Sequence, residues 1–323
     1  MRVPGLKFMR SAVRWSSLAL QRHVLVLGYH RVAEARWDPH NMCVSPDNFV
    51  EQLDVLRSIA NPISLERLVS SLGREALPLR GVVLTIDDGY LDSLTVAAPA
   101  LRRFGVPATI FVSTGWMGRE FWWDKLKRLI QSRDSLDRPV ELSVGDQLLA
   151  WQPAGSDLEG KKVELIRAAS DFMRRLAPDD QSEGVRAVFD WFETEDREDP
   201  EVRCMTTEEV SRLALDDLIE VGSHTVSHPM LSRMKIEEQR HELTASKSEL
   251  EKILGRPVKS FCYPSGSYSS DTPRIAEETE YNCACAAFSG PAVRGTNPYL
   301  LPRLWVPDLA GEPFRRWLRR RLW

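Results

Sequence analysis

The sequence contains no run of 18 or more apolar residues, which excludes an ordinary transmembrane helix. Cysteine is scarce: Cys43, Cys204, Cys262, Cys283 and Cys285 are the five in 323 residues. An odd, scattered set does not make a disulfide framework, and it suits a reducing compartment. Neither sign of charge prevails, since 43 Lys and Arg face 46 Asp and Glu for a net charge of −3. That balance gives neither the basic field of a nucleic-acid binder nor the acidic bias of a disordered chain. There is no internal repeat and no low-complexity tract. The first 20 residues carry Arg2, Lys7, Arg10 and Arg14 but lack an apolar stretch ending in a small-residue cleavage site, so a cytoplasmic location is the expectation. Only six histidines occur, and none follows His241.

What remains is ordinary globular composition, 43% hydrophobic and 28% charged, in a chain long enough for one large α/β domain. Apolar, β-branched runs at residues 24–29, 82–86 and 108–112 read as buried strands. Helical spacing at 49–59, 65–72 and 91–104 separates them, and alternation of this kind predicts parallel strands joined by right-handed crossovers. From about 120 to 205 the character changes to charged helical segments at 122–132, 158–175 and 185–192, read as a helical insertion shaping a rim beside a cleft. The rhythm resumes with a helix at 208–215 capped by Thr206, a strand at 218–221, a helix at 236–254, a strand at 259–263, a helix at 273–280 and strands at 284–287 and 299–306. Seven or eight such units favour a barrel over an open sheet. The expected organisation is a basic segment over 1–22, a barrel over 23–310 and a basic aromatic tail over 311–323. In that tail five arginines lie among Trp317, Leu318, Leu322 and Trp323. Such a segment either lies on an anionic membrane surface or docks its aromatics on the body, and docking is the plainer reading.

In a parallel barrel the chemistry sits at the C-terminal ends of the strands. His30 ends the first predicted strand, Asp87-Asp88 the third, and Tyr263 a later one, while His224 and His228 follow another. Adjacent residues of a regular strand face opposite sides, so Asp87 and Asp88 converge only if the strand breaks there, which Gly89 permits. Two close carboxylates repel each other unless a cation lies between them; alone, an Asp-Asp-Gly run is as readily a helix-capping turn. His224 and His228 are four residues apart, and Pro229 favours a tight turn over a helix at that point. Two histidines and one carboxylate can share a metal and leave positions open for water and substrate. A carboxylate that does not bind the metal can then take the water's proton, an arrangement suited to acyl hydrolysis. Cys283 and Cys285 would share one face of a strand, and without a second pair at zinc-ribbon spacing they read as core residues. Trp116, Trp122 and Trp123 either stack on sugar rings or pack the base of a helix, with packing preferred.

Three segments in this order, Thr85-Ile86-Asp87-Asp88-Gly89-Tyr90, Ser223-His224-Thr225-Val226-Ser227-His228-Pro229 and Phe261-Cys262-Tyr263-Pro264-Ser265-Gly266, resemble the polysaccharide deacetylases of carbohydrate esterase family 4, the NodB-homology group. Residues 107–112 look like that family's strand after the Asp pair. The resemblance covers residues 24–307 and implies a distorted (β/α)7 barrel. It further implies Asp87 as general base, Asp88, His224 and His228 as ligands of a divalent metal (zinc is expected), and the backbone near Tyr263 as an oxyanion donor. The implied substrate is an N-acetylated glycan.

Two departures stand out. The family's arginine before the Tyr-Pro segment is replaced by Ser260-Phe261, and its late general-acid histidine is missing. Arg303, in the late Leu-Pro-Arg-Leu segment, is the candidate to orient the base instead. His30, in Gly28-Tyr29-His30-Arg31, resembles the early acid histidine of the poly-N-acetylglucosamine deacetylase branch; a core histidine at a strand end is the bland alternative. His23, His40 and His241 have no comparable context. Rival functions are an O-acetyl esterase using the same site and a non-catalytic carbohydrate-binding protein with a decayed site.

Overall fold

The computed structural model describes residues 22–35, 37–73 and 77–323. The basic segment before residue 22 lies outside the described residues, apart from Arg22 itself. Seven parallel strands form the frame: β1 His23–Tyr29, β2 Gly81–Ile86, β3 Ala108–Val112, β4 Ile219–Ser223, β5 Ser260–Cys262, β6 Cys283–Cys285 and β7 Leu304–Trp305. Each of β1 to β5 pairs in parallel with its successor, as in Leu27↔Leu84, Ile86↔Ile110, Val112↔Ser223, Ser223↔Phe261 and Cys262↔Cys285. The last segment closes the ring. Leu301 bridges in parallel to Cys285, and β7 then pairs Leu304 with Leu27 and Trp305 with Gly28. The result is the distorted seven-stranded barrel that the sequence implied, with its closure thinnest between β6 and β1.

The two-residue period of the strands sorts every side chain to one of two layers. Leu25, Leu27, Val82, Leu84, Ile110, Val221 and Phe261 face outward into a layer shared with the surrounding helices. Val24, Val26, Val83, Phe111, Cys262, Cys283 and Cys285 face the barrel interior. The two cysteines of the CxC pair are therefore buried, free and on one face, as expected of core residues. The outer helices include α1 Pro46–Ile59, α3 Ala98–Phe104, α7 Thr207–Leu213, α8 Ile236–Leu254, α9 Thr272–Glu278 and α10 Gly311–Leu322, while α2 Leu65–Ser71 packs against the interior cluster. Thr206 caps α7 through a reciprocal pair of bonds with Glu209, which satisfies two otherwise orphaned donors.

The segment between β3 and β4 has its own apolar cluster, built on Phe121, Trp122, Leu126, Leu165, Ile166, Phe172 and Phe189. Three helices supply it, α4 Trp122–Gln131, α5 Leu158–Met173 and α6 Gln181–Trp191. A hairpin of strands Val140–Val144 and Gln147–Trp151 also lies here, where the sequence suggested helices alone. No described helix is long and apolar enough to cross a membrane. The apolar stripe of α10 is turned inward: Phe314 and Leu318 are fully buried and Leu322 nearly so, packed beside α1 and β1.

Candidate active site

Strand alternation alone brings most of the site to the mouth. On β2 the inward series Val83, Thr85 continues to Asp87, and on β1 the series Val24, Val26, Gly28 continues to His30. Asp88, next in line, would point outward in a regular strand. Its φ of +76° breaks the strand and turns it in, and Gly89 follows at the same φ. A side chain at Gly89 would sit 3.2 Å from Val112, so the exit from β2 has room only for glycine.

Asp88 and both histidines converge. Asp88 Oδ1 lies 3.4 Å from His224 Nε2 and 3.4 Å from His228 Nε2. Their donor atoms all fall within 4.8 Å of one another. Asp88 Oδ1 is buried and accepts no hydrogen bond, an orphaned acceptor that costs free energy unless a cation meets it. His224 donates its Nδ1–H to the Cys262 carbonyl at 2.8 Å, which leaves the Nε2 lone pair facing Asp88. Burial, outweighing Asp88 beside it, holds the His228 imidazole below its ordinary value, in the neutral form a metal requires. Burial acts the other way on the Asp88 carboxyl, but the two histidines override it and hold it well below the usual carboxylate range. By donor type and placement these three residues fit a divalent cation with open positions.

The turn carrying the histidines is strained, with Thr225 at φ +67° and His228 at φ +57°. Glu242 on α8 compensates, accepting from Val226 N at 2.7 Å, Ser227 N at 3.0 Å and Ser227 Oγ at 2.6 Å. Ser113 Oγ donates to His224 O and Trp116 Nε1 donates to Ser227 O. Nothing in the sequence marks Glu242, one acid among many on an amphipathic helix. Trp116 thus fastens the turn, while Trp123 packs 4.9 Å from His228 and 4.0 Å from Phe121. Trp122 and Trp123 are at most 9% exposed, so these aromatics pack the site rather than offer an open face to a sugar.

Asp87 is held differently. Arg303 reaches in from the far end of the chain and grips it with both nitrogens, Nη1 to Oδ1 at 2.7 Å and Nη2 to Oδ2 at 2.8 Å. Arg303 is fully buried and also donates to Ala286 O and Thr85 Oγ1. Burial pushes the Asp87 carboxyl up, but Arg303, with His224 and His30 adding to it, outweighs burial and keeps it below the ordinary range. The thiol of Cys262 lies 3.5 Å from Asp87 Oδ2 and 3.0 Å from Arg303 Nη2.

His30 opens onto the same cavity, of about 1100 Å³, together with Asp87, Asp88, His224, His228 and Arg303. Its ring stacks on Trp305, centroids 4.5 Å apart and planes 15° from parallel. Tyr263 is the one predicted residue that does not reach the cavity. It follows Phe261 on the outward face of β5; its amide donates to Cys285 O at 3.1 Å and its hydroxyl to Tyr299 O at 2.8 Å. The cavity wall there is Ser265-Gly266, with Ser265 at φ +53°. Reading the inward and outward positions of β5 would have found this. His40 and His241 line the outer part of the cavity, while His23 bonds the Arg321 carbonyl at the base of β1.

The family model for polysaccharide deacetylases matches residues 75–136 and 181–284, just over half the chain. YxkH of Bacillus subtilis (strain 168), a polysaccharide deacetylase by name, is 29% identical over 111 residues, which are 34% of this chain and 39% of that protein. Two solved structures share the fold, each covering 92% of this chain with a TM-score of 0.59. They are the Streptococcus pyogenes deacetylase PplD in complex with acetate, 19% identical and covered over 98% of its length, and IcaB from Ammonifex degensii, 17% identical and covered over 97%. The family match takes in Asp87, Asp88, His224, His228 and Cys262, the residues found gathered at one mouth of the barrel, and the chain belongs to the polysaccharide deacetylase family.

Proposed function

We propose that this chain removes N-acetyl groups from an acetylated glycan, with a divalent metal held by Asp88, His224 and His228. The observation that carries the reading is one juxtaposition. An orphaned Asp88 Oδ1 faces two imidazole Nε2 atoms, beside a second carboxylate, Asp87, that is paired with Arg303. When bound, such a metal lowers the pKa of a water and polarises the acetyl carbonyl, and zinc is the ion this donor set suits first.

The chain's own residues supply the rest. Asp87, ionised and aimed by Arg303, takes the proton of the attacking water. The backbone N–H of Ser265, on the cavity wall, takes the oxyanion role expected near Tyr263, since that of Gly266 is already given to Tyr263 O at 2.9 Å. His30 then protonates the sugar nitrogen as the C–N bond breaks, and acetate leaves with the oxygen of the water. Arg303, bonded to both oxygens of Asp87, serves in place of the arginine missing before the Tyr-Pro segment, and the bidentate contact supports that reading over a decayed site.

The test is acetate release from N-acetylated chitooligosaccharides and from O-acetylated glycans, with and without chelator. Expected are loss of activity on chelation, recovery with zinc, preference for the amide, and a fall of about 10²- to 10⁴-fold in Asp87→Asn. Full turnover after metal removal, or in Asp87→Asn, would sink the reading.

A further inference from the structure

We propose that Trp305 is a positioning residue that holds His30 in line for proton transfer and ties it to the arginine that holds Asp87. This rests on the role of His30 proposed above. Among the described residues no hydrogen bond holds the His30 ring. What orients it is the stack on Trp305, at 4.5 Å and 15°. The indole also carries the Arg303 guanidinium, whose central carbon lies 4.7 Å from the ring.

Strand register explains how the indole comes to lie there. Trp305 pairs directly with Gly28, and His30 is the next inward position on β1. A Cβ at Gly28 would stand 2.7 Å from Trp305 Cζ3 and 2.8 Å from Cε3. The indole therefore lies across the bare backbone of Gly28 and reaches the imidazole beyond it. Arg303 and Trp305, two residues apart on the closing segment, project inward together, so one short strand serves both carboxylate and imidazole. Stacked rings prefer an offset, near-parallel arrangement, so the indole selects one orientation of the imidazole over others.

A leaving group that needs a proton separates this role from general damage. The amide nitrogen of an N-acetyl sugar must be protonated as its bond to the acyl carbon breaks; the phenolate of 4-nitrophenyl acetate leaves without a proton. The experiment measures kcat/KM on both substrates for wild type, His30→Ala, Trp305→Leu, Trp305→Phe, Gly28→Ala and the His30→Ala/Trp305→Leu pair, with metal content checked throughout. Trp305→Leu is expected to lose about tenfold to a hundredfold on the amide, the scale of a small misplacement of a reacting group, with a much smaller loss on the ester. Trp305→Phe should recover much of the amide activity. Gly28→Ala, which displaces the indole without touching either ring chemically, should repeat the Trp305→Leu pattern. The double variant should lose no more than His30→Ala alone. Equal losses on both substrates in Trp305→Leu, or an intact amide rate there while His30→Ala has lost it, would overturn the inference and leave the role of His30 standing. An intact amide rate in His30→Ala would overturn that role and this inference with it.

Discussion

Glu220, an inward residue of β4, accepts hydrogen bonds from Thr109 Oγ1 at 3.0 Å and Ser260 Oγ at 2.8 Å deep below the mouth. Burial pushes its carboxyl above the ordinary value of 4.5, and the two hydroxyls and Lys259 pull it back only in part, with Glu66 adding to the rise. The folded chain therefore keeps a proton that the unfolded chain has released. The contribution to stability is complete below the ordinary glutamate value and is lost as pH climbs through the raised one. Glu220→Gln should accordingly raise the denaturant midpoint at about pH 8 and leave it nearly unchanged near pH 4. A uniform shift at both would show that the carboxyl does not titrate this way. The candidate site residues were legible in the sequence through local signals. Asp87, Asp88, His224 and His228 sit at strand ends beside Gly89 and Pro229, where local rules already signal a break. Arg303 was legible only through the gap left at Ser260-Phe261. Glu242 and Trp305 were not, since each acts on a partner brought near by tertiary folding alone. The backbone donor expected near Tyr263 could not be narrowed to one amide in the sequence, because the pairing of Tyr263 N with Cys285 O is a tertiary fact.

Among the elements, α10 docks on the body, the plainer of the two readings of the tail. Five arginines among aromatics suggest a surface-seeking helix, yet Phe314, Leu318 and Leu322 recur every fourth residue and form a stripe against α1 and β1. The arginines take the other faces, and Arg321 covers Trp317 at 4.2 Å. Leu318→Ala should cost about 2 to 5 kcal/mol in equilibrium unfolding, the range for a buried leucine cut to alanine. A change under about 0.5 kcal/mol, typical of surface positions, would mean that the helix does not dock in solution. The barrel strands and outer helices were readable to within a few residues because their periods are long and uninterrupted. The hairpin Val140–Val144 with Gln147–Trp151 is not legible although Gly145-Asp146 stands between its strands. The first strand alternates, but Leu148, Leu149, Ala150 and Trp151 run together apolar, so the second shows no two-residue period against the helical composition around it.

For the molecule as a whole, the joint between barrel and insertion runs through Tyr90, the residue after Asp87-Asp88-Gly89. Its ring is buried in the insertion's apolar cluster, and its hydroxyl donates to Asp124 Oδ2 at 2.5 Å and accepts from Trp123 Nε1 at 2.7 Å. The returning chain pairs there too, Leu91 N donating to Arg203 O and Met205 N to Gly89 O. Tyr90→Phe keeps the packing but strands two buried polar groups, so a loss of about 1–3 kcal/mol is expected in denaturant unfolding. If instead stability is unchanged, water or a shifted Asp124 replaces the hydroxyl and the joint rests on packing alone.

The order of the closing segment has a consequence for biosynthesis. Asp88, His224 and His228 have all left the ribosome well before Arg303 and Trp305, which lie on the segment that closes the ring. A nascent or truncated polypeptide stopping near residue 300 would own every candidate metal ligand yet leave Asp87 without its counter-charge and His30 without its platform. Asp87 and His30 thus gain the partners that hold them only once the closing segment of the ring is in place.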